Sequence, residues 1–590
     1  MKYISMSLVV LACLAGFTKC SKNKLNENPP HFTTAEILYT SVDGFEAGLN
    51  GLYSLVRQER NGLNYTDGFG TIDLAATIYL AGTDNIGSGS NVGGLSQIVA
   101  DWTRSTPTDP NLDKFFLYLY RMVSASNTLI SRSENPDIAW GTPETKARIV
   151  SEALVIRAMA YRHLTYLWGK VPFITEERTG ENIITDAVRE NVGTIRRAMI
   201  NDLNYAAVHL PWTPLKAGRM TRGVAQTYLA EMYLAIGKAD SALYWSDQCI
   251  TTGPYALISA RYGSGTSRPG VPFMDMFEPA NVNIANGNKE AMWVLQWERS
   301  GVSGGENLMR HETTMRYPNA RYQGRSGFLT AIDERGGRGW SRQTITKRAL
   351  LLYSTSSDAA TNKNDQRGSE YAIRKYFIVT TADNYSGLTN TGTNQPWKLG
   401  DTVWLATGTS QGNINNCGQR SRSGALNPTL LTDGQANNND WPHSMKFAQC
   451  DPGFPNTTES HTDQMYMRLA ETILLRAEAK GRLGNLLGAA DDINLLRTRA
   501  NAKAVTVADF GASLNTFLNY ILDERSRELI VEEQRRYTLL RMGGADYFYP
   551  RVSTWNTISK NLTLRDTLLP IPQSVIDANL TTVMPQNPGW

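Results

Sequence analysis

Two distant stretches of this chain share one spacing of small residues. AEMYLAIGKADSA (230–242) and AEAKGRLGNLLGA (477–489) both open on Ala-Glu, place Gly seven residues after that Ala, and place Ala five further on. The correspondence is Ala230, Glu231, Gly237 and Ala242 against Ala477, Glu478, Gly484 and Ala489. Small side chains let two helices approach closely, and the Gly can end the first helix in a left-handed turn. Such a pair cannot bury both faces alone and must stack on neighbours.

The spacing resembles a tetratricopeptide helix pair, and the rest of the chain has room for a stack of them. Helical periodicity and few breakers mark 41–57, 111–131, 148–168, 191–209, 221–236, 239–251, 464–482, 486–500 and 515–541. In RIVSEALVIRAMAYRHLTYLW (148–168), Ala153, Ile156, Ala160, Leu164 and Leu167 share a broad face, and Gly169 and Pro172 stop the helix. Between the helices lie stretches dense in Gly, Asn, Ser and Thr, at about 60–110, 253–285, 298–345 and 380–462. Loops this long inside a compact protein usually carry function or are disordered. AMWVLQW (291–297) reads as an apolar strand, with Trp293 in the core. With 590 residues, 41% of them hydrophobic, the chain can bury a large core in two lobes rather than four domains.

The N-terminus reads as an export leader. Lys2 precedes an apolar run from Ser5 to Phe17, too short for a comfortable membrane span of roughly 20 residues. The run stops near Cys20, so residues 1–19 read as a signal peptide and Cys20 as a lipidation site; Cys13 is the rival. KLNENPP (24–30) then gives a polar tether, taken as 20–35, ahead of an α-rich body over 36–590. The formal charge is +4, and losing Lys2 and Lys19 with the leader leaves +2, which gives no strong pull toward nucleic acid. Cys249, Cys417 and Cys450 form no C-x-x-C pair, so no zinc site is indicated, and a Cys417–Cys450 disulfide stays open.

Catalytic motifs are sparse. GVSGG (301–305) and GTSQG (408–412) match G-x-S-x-G, but neither sits between a strand and a clear core helix, as a nucleophile elbow requires. There is no H-E-x-x-H and no Walker A motif. Asp433, Gln435, Asn437 and Asn439 alternate, but the Gly and terminal Glu of an EF-hand are misplaced, so a solvated loop is the better reading. No metal, cofactor or catalytic residue is expected.

Several segments together resemble the SusD/RagB family of Bacteroidetes nutrient-binding lipoproteins. HLTYLWGKVPFI (163–174) is similar to that family's helix exit, and MRLAETILLRAEAKGRLGN (467–485) to its R-L-A-E signature. ILDERSRELIVEEQRRYTLLRMG (521–543) resembles its E-R-x-R-E-L helix, and LLPIPQSVIDANLTTVMPQNPGW (568–590) its P-I-P … Q-N-P-G ending. Arg536, Thr538, Val575 and Lys19 depart from the family pattern. The resemblance implies a mainly α, tetratricopeptide-like scaffold with a loop-rich ligand face and minor β-structure. It also implies a surface-exposed, lipid-anchored outer-membrane protein that captures oligosaccharides, or peptides in some members. A SusC-like TonB-dependent transporter would be the partner.

Sugars offer C–H faces that stack on aromatic rings and hydroxyls that need Asp, Asn or Arg. The loop-borne candidates are Tyr65, Trp102, Tyr317, Tyr322, Trp340, Trp397 and Trp404, beside Asn319 and Arg321. Asp84 and Asn85 are favoured because the family's ligand loops lie in that part of the chain. The helix 515–541 is expected to pair Glu524 with Arg527 and Glu532 with Arg536 as structural charges. Trp590 is expected to dock the C-terminus.

Overall fold

The computed structural model describes residues 34–60, 77–88, 102, 105–298, 311–312, 319–320, 322, 328–339, 343–390, 395–405, 441–456, 459–556 and 561–590. The leader, Cys13, Cys20, Cys417, Tyr65, Tyr317, Arg321, Trp340, both G-x-S-x-G matches and the Asn-rich 433–439 stretch lie outside these residues.

The chain is mostly helical. Pro110–Arg132 packs on Pro143–Leu167, which packs on Val192–His209, then Arg222–Ala235, then Ala239–Thr252. The stack continues from Ala239–Thr252 to Leu469–Arg482 and on to Leu486–Arg499. That seam joins the two repeats: Ala230, Leu234 and Ala242 share one buried cluster with Leu475 and Ala479. Gly237 and Gly484 close their turns at φ +76° and +81°, the left-handed region that favours glycine.

Sequence-level signals set most of the helix ends. Asp109 caps Pro110–Arg132 by accepting from Asn111 N–H at 2.8 Å and Leu112 N–H at 3.2 Å, with proline at the first position. Thr142 and Pro143 start the next helix in the same way. From Ser151 to Leu167 every residue of that helix is buried, because neighbours pack on all its sides.

Two expected helices end differently. Gln464–Arg468 forms a strand antiparallel to Ala291–Leu295, with Gln464 opposite Leu295 and Met465 opposite Val294, before the helix starts at Leu469. The expected 515–541 helix breaks into Leu514–Leu529 and Arg535–Gly543. At the break Val531 has φ +60°. Lys446 Nζ donates to the carbonyl oxygens of Glu528 (2.7 Å) and Ile530 (3.3 Å), and Arg468 Nη2 also donates to Glu528 O (2.8 Å). Side chains from distant segments thus take carbonyls that a continuing helix would use. The Glu524–Arg527 pair forms at 2.9 Å, but Glu532 turns to Lys446 and Arg468, and Arg536 donates to Asp566 O at 2.6 Å.

Two of the family-like motifs dock on each other. Leu569 N–H donates to Leu167 O at 2.7 Å, and Trp168 Nε1 donates to Pro570 O at 2.9 Å. The buried Asn587 amide donates to Trp168 O and Leu569 O at 2.9 and 2.7 Å. Trp590 docks half-buried, its Nε1 donating to Leu568 O at 3.0 Å under the Arg565 guanidinium.

The loop territory is not uniformly solvated. One small core there gathers Phe273, Met276, Phe277 and Val282; another gathers Tyr322, Phe328, Phe377, Trp397 and Val403. A buried ion network joins this territory to the scaffold. Arg468 pairs with Glu290 (3.1 Å), Glu528 (2.6 Å) and Glu532 (2.7 Å); Arg367 pairs with Asp365, Glu524 and Glu528 at 2.8, 2.9 and 3.1 Å. The E-R-x-R-E-L helix supplies Glu524 and Glu528 to this network, and Glu528 bridges Arg468 and Arg367.

Candidate functional site

The structure places four of the expected ligand residues in the interior. Asp84 is fully buried, and its carboxylate accepts from Arg535 Nε and Nη2, both at 2.8 Å, and from Arg551 Nε at 2.9 Å. Burial works to raise its pKa, but Arg535 and Arg551 outweigh burial and hold it well below the usual carboxylate range. Asn85 is buried and accepts from Ser526 Oγ at 2.6 Å. Trp102, at φ +61°, is buried edge-on to Phe548 with the Arg536 guanidinium 5.0 Å from its ring. Tyr322 donates its hydroxyl to Gly337 O at 2.7 Å and packs 4.3 Å from Phe377. Of the wider set, Trp397 is buried 5.2 Å from Phe328, and Asn319 is buried. Asp84, Asn85 and Trp102 are tied to the C-terminal helices, and Tyr322 and Trp397 pack into a core of the loops themselves; none of these side chains faces solvent. Position in a loop reveals little about burial when the loop has a core of its own.

A solvent-open cleft of about 180 Å³ lies among those loops, lined by segments 261–278, 333–334, 370–374 and 445–449. Drug-sized pockets span about 300–1,000 Å³, so this one suits a single residue of a longer ligand. Its walls are held by ion pairs. Arg261 Nε donates to Asp275 Oδ2 at 2.7 Å, Tyr262 N–H to the same oxygen at 3.0 Å, and Arg268 pairs with Glu278. Asp333 accepts from Gly453 N–H at 2.6 Å and Glu370 from the Tyr376 hydroxyl. Tyr371 offers an exposed ring (38% accessible) at the rim. Arg374 ends the short strand Ile373–Arg374, paired with His443–Ser444. Its Nε meets Met445 Sδ at 3.3 Å, and its guanidinium lies 5.3 Å from the Phe377 ring. Burial lowers the Arg374 pKa, and Arg335 and Arg268 push the same way.

Sequence reasoning missed Tyr371 and Arg374. SEYAIRKYF (369–377) lies outside the Gly- and Asn-rich stretches, and only its density of aromatic and charged side chains marks it.

A second groove, of about 320 Å³, lies between 213–219, 283–286 and 294–296. No aromatic ring lines it, and its amides satisfy each other: Gln296 donates to Asn283 Oδ1 at 2.7 Å. The loop-built cleft is therefore the better candidate for a ligand with flat faces and hydroxyls.

The structure is a stacked helical scaffold that carries a polar cleft among its loops. The chain belongs to the SusD family, whose model matches residues 289–590; a second family model, described as starch-binding associating with outer membrane, matches residues 82–234. It is similar to SusD-like protein P2 of Formosa agariphila, 24% identical over 600 residues and covering 100% of both chains. It superposes on a SusD homolog from Bacteroides thetaiotaomicron with a TM-score of 0.70, at 17% identity over 94% of this chain and 98% of that one. A laminarin-binding SusD-like protein superposes with a TM-score of 0.63, at 19% identity over 93% and 99%. These likenesses fix the fold as tetratricopeptide-like.

Proposed function

We propose that this chain captures oligosaccharides at the outer membrane and passes them to a SusC-like TonB-dependent transporter, tethered through lipid on Cys20. The observation that carries the binding half is the exposed Tyr371, which lines the same cleft as Arg374. A pyranose laid on Tyr371 would bury its C–H face, and its hydroxyls would meet the carboxylates and guanidinium of the walls. The laminarin-binding relative and the starch-binding family description support a glycan over a peptide. Tyr317 and Trp340, which lie outside the described residues, remain proposed ligand contacts on the sequence reading alone.

Isothermal titration of the soluble protein against glycan and peptide panels tests this reading. Binding to a glycan without release of shorter products is the expected result. Tyr371→Ala should weaken it by about 1–3 kcal/mol, as for a hot-spot aromatic. Product release would make the chain a hydrolase, and binding of peptides alone would change the ligand class. In cells, deleting this chain should slow uptake of the bound glycan only where the partner transporter is present.

A further inference from the structure

Among the charged side chains of the cleft, the cations are unequally matched. Arg261 is held by Asp275 and Arg268 by Glu278. Behind the wall, Arg335 is held by Asp383 through two nitrogens, both at 2.6 Å. Arg374 has no carboxylate partner among the described residues: a thioether and a ring face are its contacts. Its two Nη groups, donors in a fixed planar fork, are left for whatever fills the cleft. Besides burial, Arg335 and Arg268, both of its own sign, work against its charge, while the Tyr322 and Tyr376 hydroxyls work the other way; no carboxylate acts on it among the groups that shift it. Across the strand pair, burial and Arg374 itself push the His443 pKa down to about 3, so that ring stays neutral and adds no further positive charge.

A guanidinium held partly out of water, near two others and with no acid of its own, is completed by an oxyanion. Charge-assisted, bidentate bonds to a carboxylate or sulfate are the strongest an arginine makes. We propose that Arg374 recognises an acidic sugar, one carrying a carboxylate or a sulfate ester, with Tyr371 stacking on the ring that bears it or on its neighbour. This inference rests on the loop cleft being the glycan site and names its ligand class. The rim also restricts how much charge the ligand carries. Glu334 and Glu370 are exposed, Asp333 stands beside them, and like charges facing each other are unfavourable. The ligand is therefore a chain in which acidic residues are separated by neutral ones, the neutral hydroxyls facing these carboxylates.

The test is an array of oligogalacturonides and oligoguluronates, their methyl esters, sulfated and desulfated galactan oligosaccharides, mixed acidic–neutral oligosaccharides, and neutral gluco- and xylo-oligosaccharides. The full chain is probed as wild type, Arg374→Gln, Arg374→Lys and Tyr371→Ala, with melting followed for each. The inference expects the best wild-type ligands to be acidic and to weaken with added salt. Arg374→Gln should cost them tenfold or more while leaving the esterified or desulfated form unchanged. Arg374→Lys should fall between, since it keeps the charge and loses the fork; it also carries the test if Arg374→Gln does not fold. The uronate and sulfate arms say which oxyanion is meant. If the best ligands are neutral and lose binding on Tyr371→Ala but not on Arg374→Gln, the acidic-sugar inference falls and the cleft stands. If saccharides bind and neither variant alters their affinity, the cleft itself is wrong.

Discussion

Asp84 and Arg535, 451 residues apart in the chain, meet through two parallel hydrogen bonds of 2.8 Å in the interior. Arg551 adds a third, and Asn556 Nδ2 donates to Thr83 O at 2.7 Å, so the 83–85 turn is held by the helices Arg535–Gly543 and Ala545–Trp555 and the residue after them. Removing one partner of a buried pair leaves the other charge uncompensated and costs about 3–5 kcal/mol. Asp84→Ala should therefore lower the denaturation midpoint strongly. Arg535→Lys should not be silent either, because lysine cannot reproduce the two-nitrogen contact. A wild-type midpoint for Asp84→Ala together with weakened glycan binding would return Asp84 to the ligand site.

Trp102 and Tyr371 should separate stability from binding. Trp102 is buried against Phe548 and Arg536, and truncating a buried aromatic costs about 3–5 kcal/mol. Tyr371 is exposed, so Tyr371→Ala should leave melting nearly unchanged and weaken the glycan. The reverse pattern, measured by thermal melts and titration on both variants, would exchange their roles.

How much of this was legible follows from how far each determinant reaches along the chain. The stacked helices could be read because caps such as Asp109-Pro110 and stops such as Gly237 and Gly484 act within a few residues. The break at Ile530–Gln534 could not, because Lys446 and Arg468 impose it from elsewhere on a stretch whose own residues favour a helix. The candidate cleft was legible as territory: it draws on segments within or beside the Gly- and Asn-rich stretches. Its residues were not. An aromatic in a loop packs inward or faces water according to the small cores of those loops, and Tyr322 and Trp397 fall into one of them.

The repeat makes a prediction about backbone and bulk separately. A Cβ on Gly484 meets nothing within 4 Å, so Gly484→Ala should cost only the left-handed conformation, about 1–2 kcal/mol. Ala230 sits in the seam with Leu475 and Ala479, where Ala230→Leu should overpack and cost about 1–3 kcal/mol. Chemical denaturation of both variants checks the pair. An unchanged midpoint for Ala230→Leu would mean that the seam tolerates bulk and that the small residue is incidental.

The anchor is tested by fractionation. Acyl chains on Cys20 would stabilise membrane association by about 0.8 kcal/mol per buried methylene, and more than one chain makes release negligible. Cys20→Ser should leave a folded, glycan-competent protein in the soluble fraction. If Cys13→Ser is released instead, the lipid is on Cys13; if both variants stay with the membrane, a protein partner holds the chain there.

Acid should loosen the joint between scaffold and loops first. Burial works to raise the pKa of Glu524, but Arg367, Arg497 and Arg527 hold it at about 2, against an ordinary 4.5. Burial likewise opposes, and His163 and Arg60 outweigh it, at Glu59, which is also held at about 2. With folded values below unfolded ones, the unfolded chain binds more protons between pH 4.5 and 2, so stability falls as pH falls. The contribution is complete above about pH 4.5, is lost progressively toward pH 2, and amounts to roughly 3 kcal/mol for each carboxylate. Glu471, pushed up by burial, works in the opposite sense and in a different window, adding stability as pH falls toward 4.5 from above. Urea midpoints should thus hold level or rise slightly from pH 7 to 5 and drop steeply below 4.5. Glu524→Gln should start lower at pH 7 and show a shallower drop, because one of the titrating groups is gone. Equal slopes for the variant and wild type below pH 4.5 would show that Glu524 does not carry the acid sensitivity.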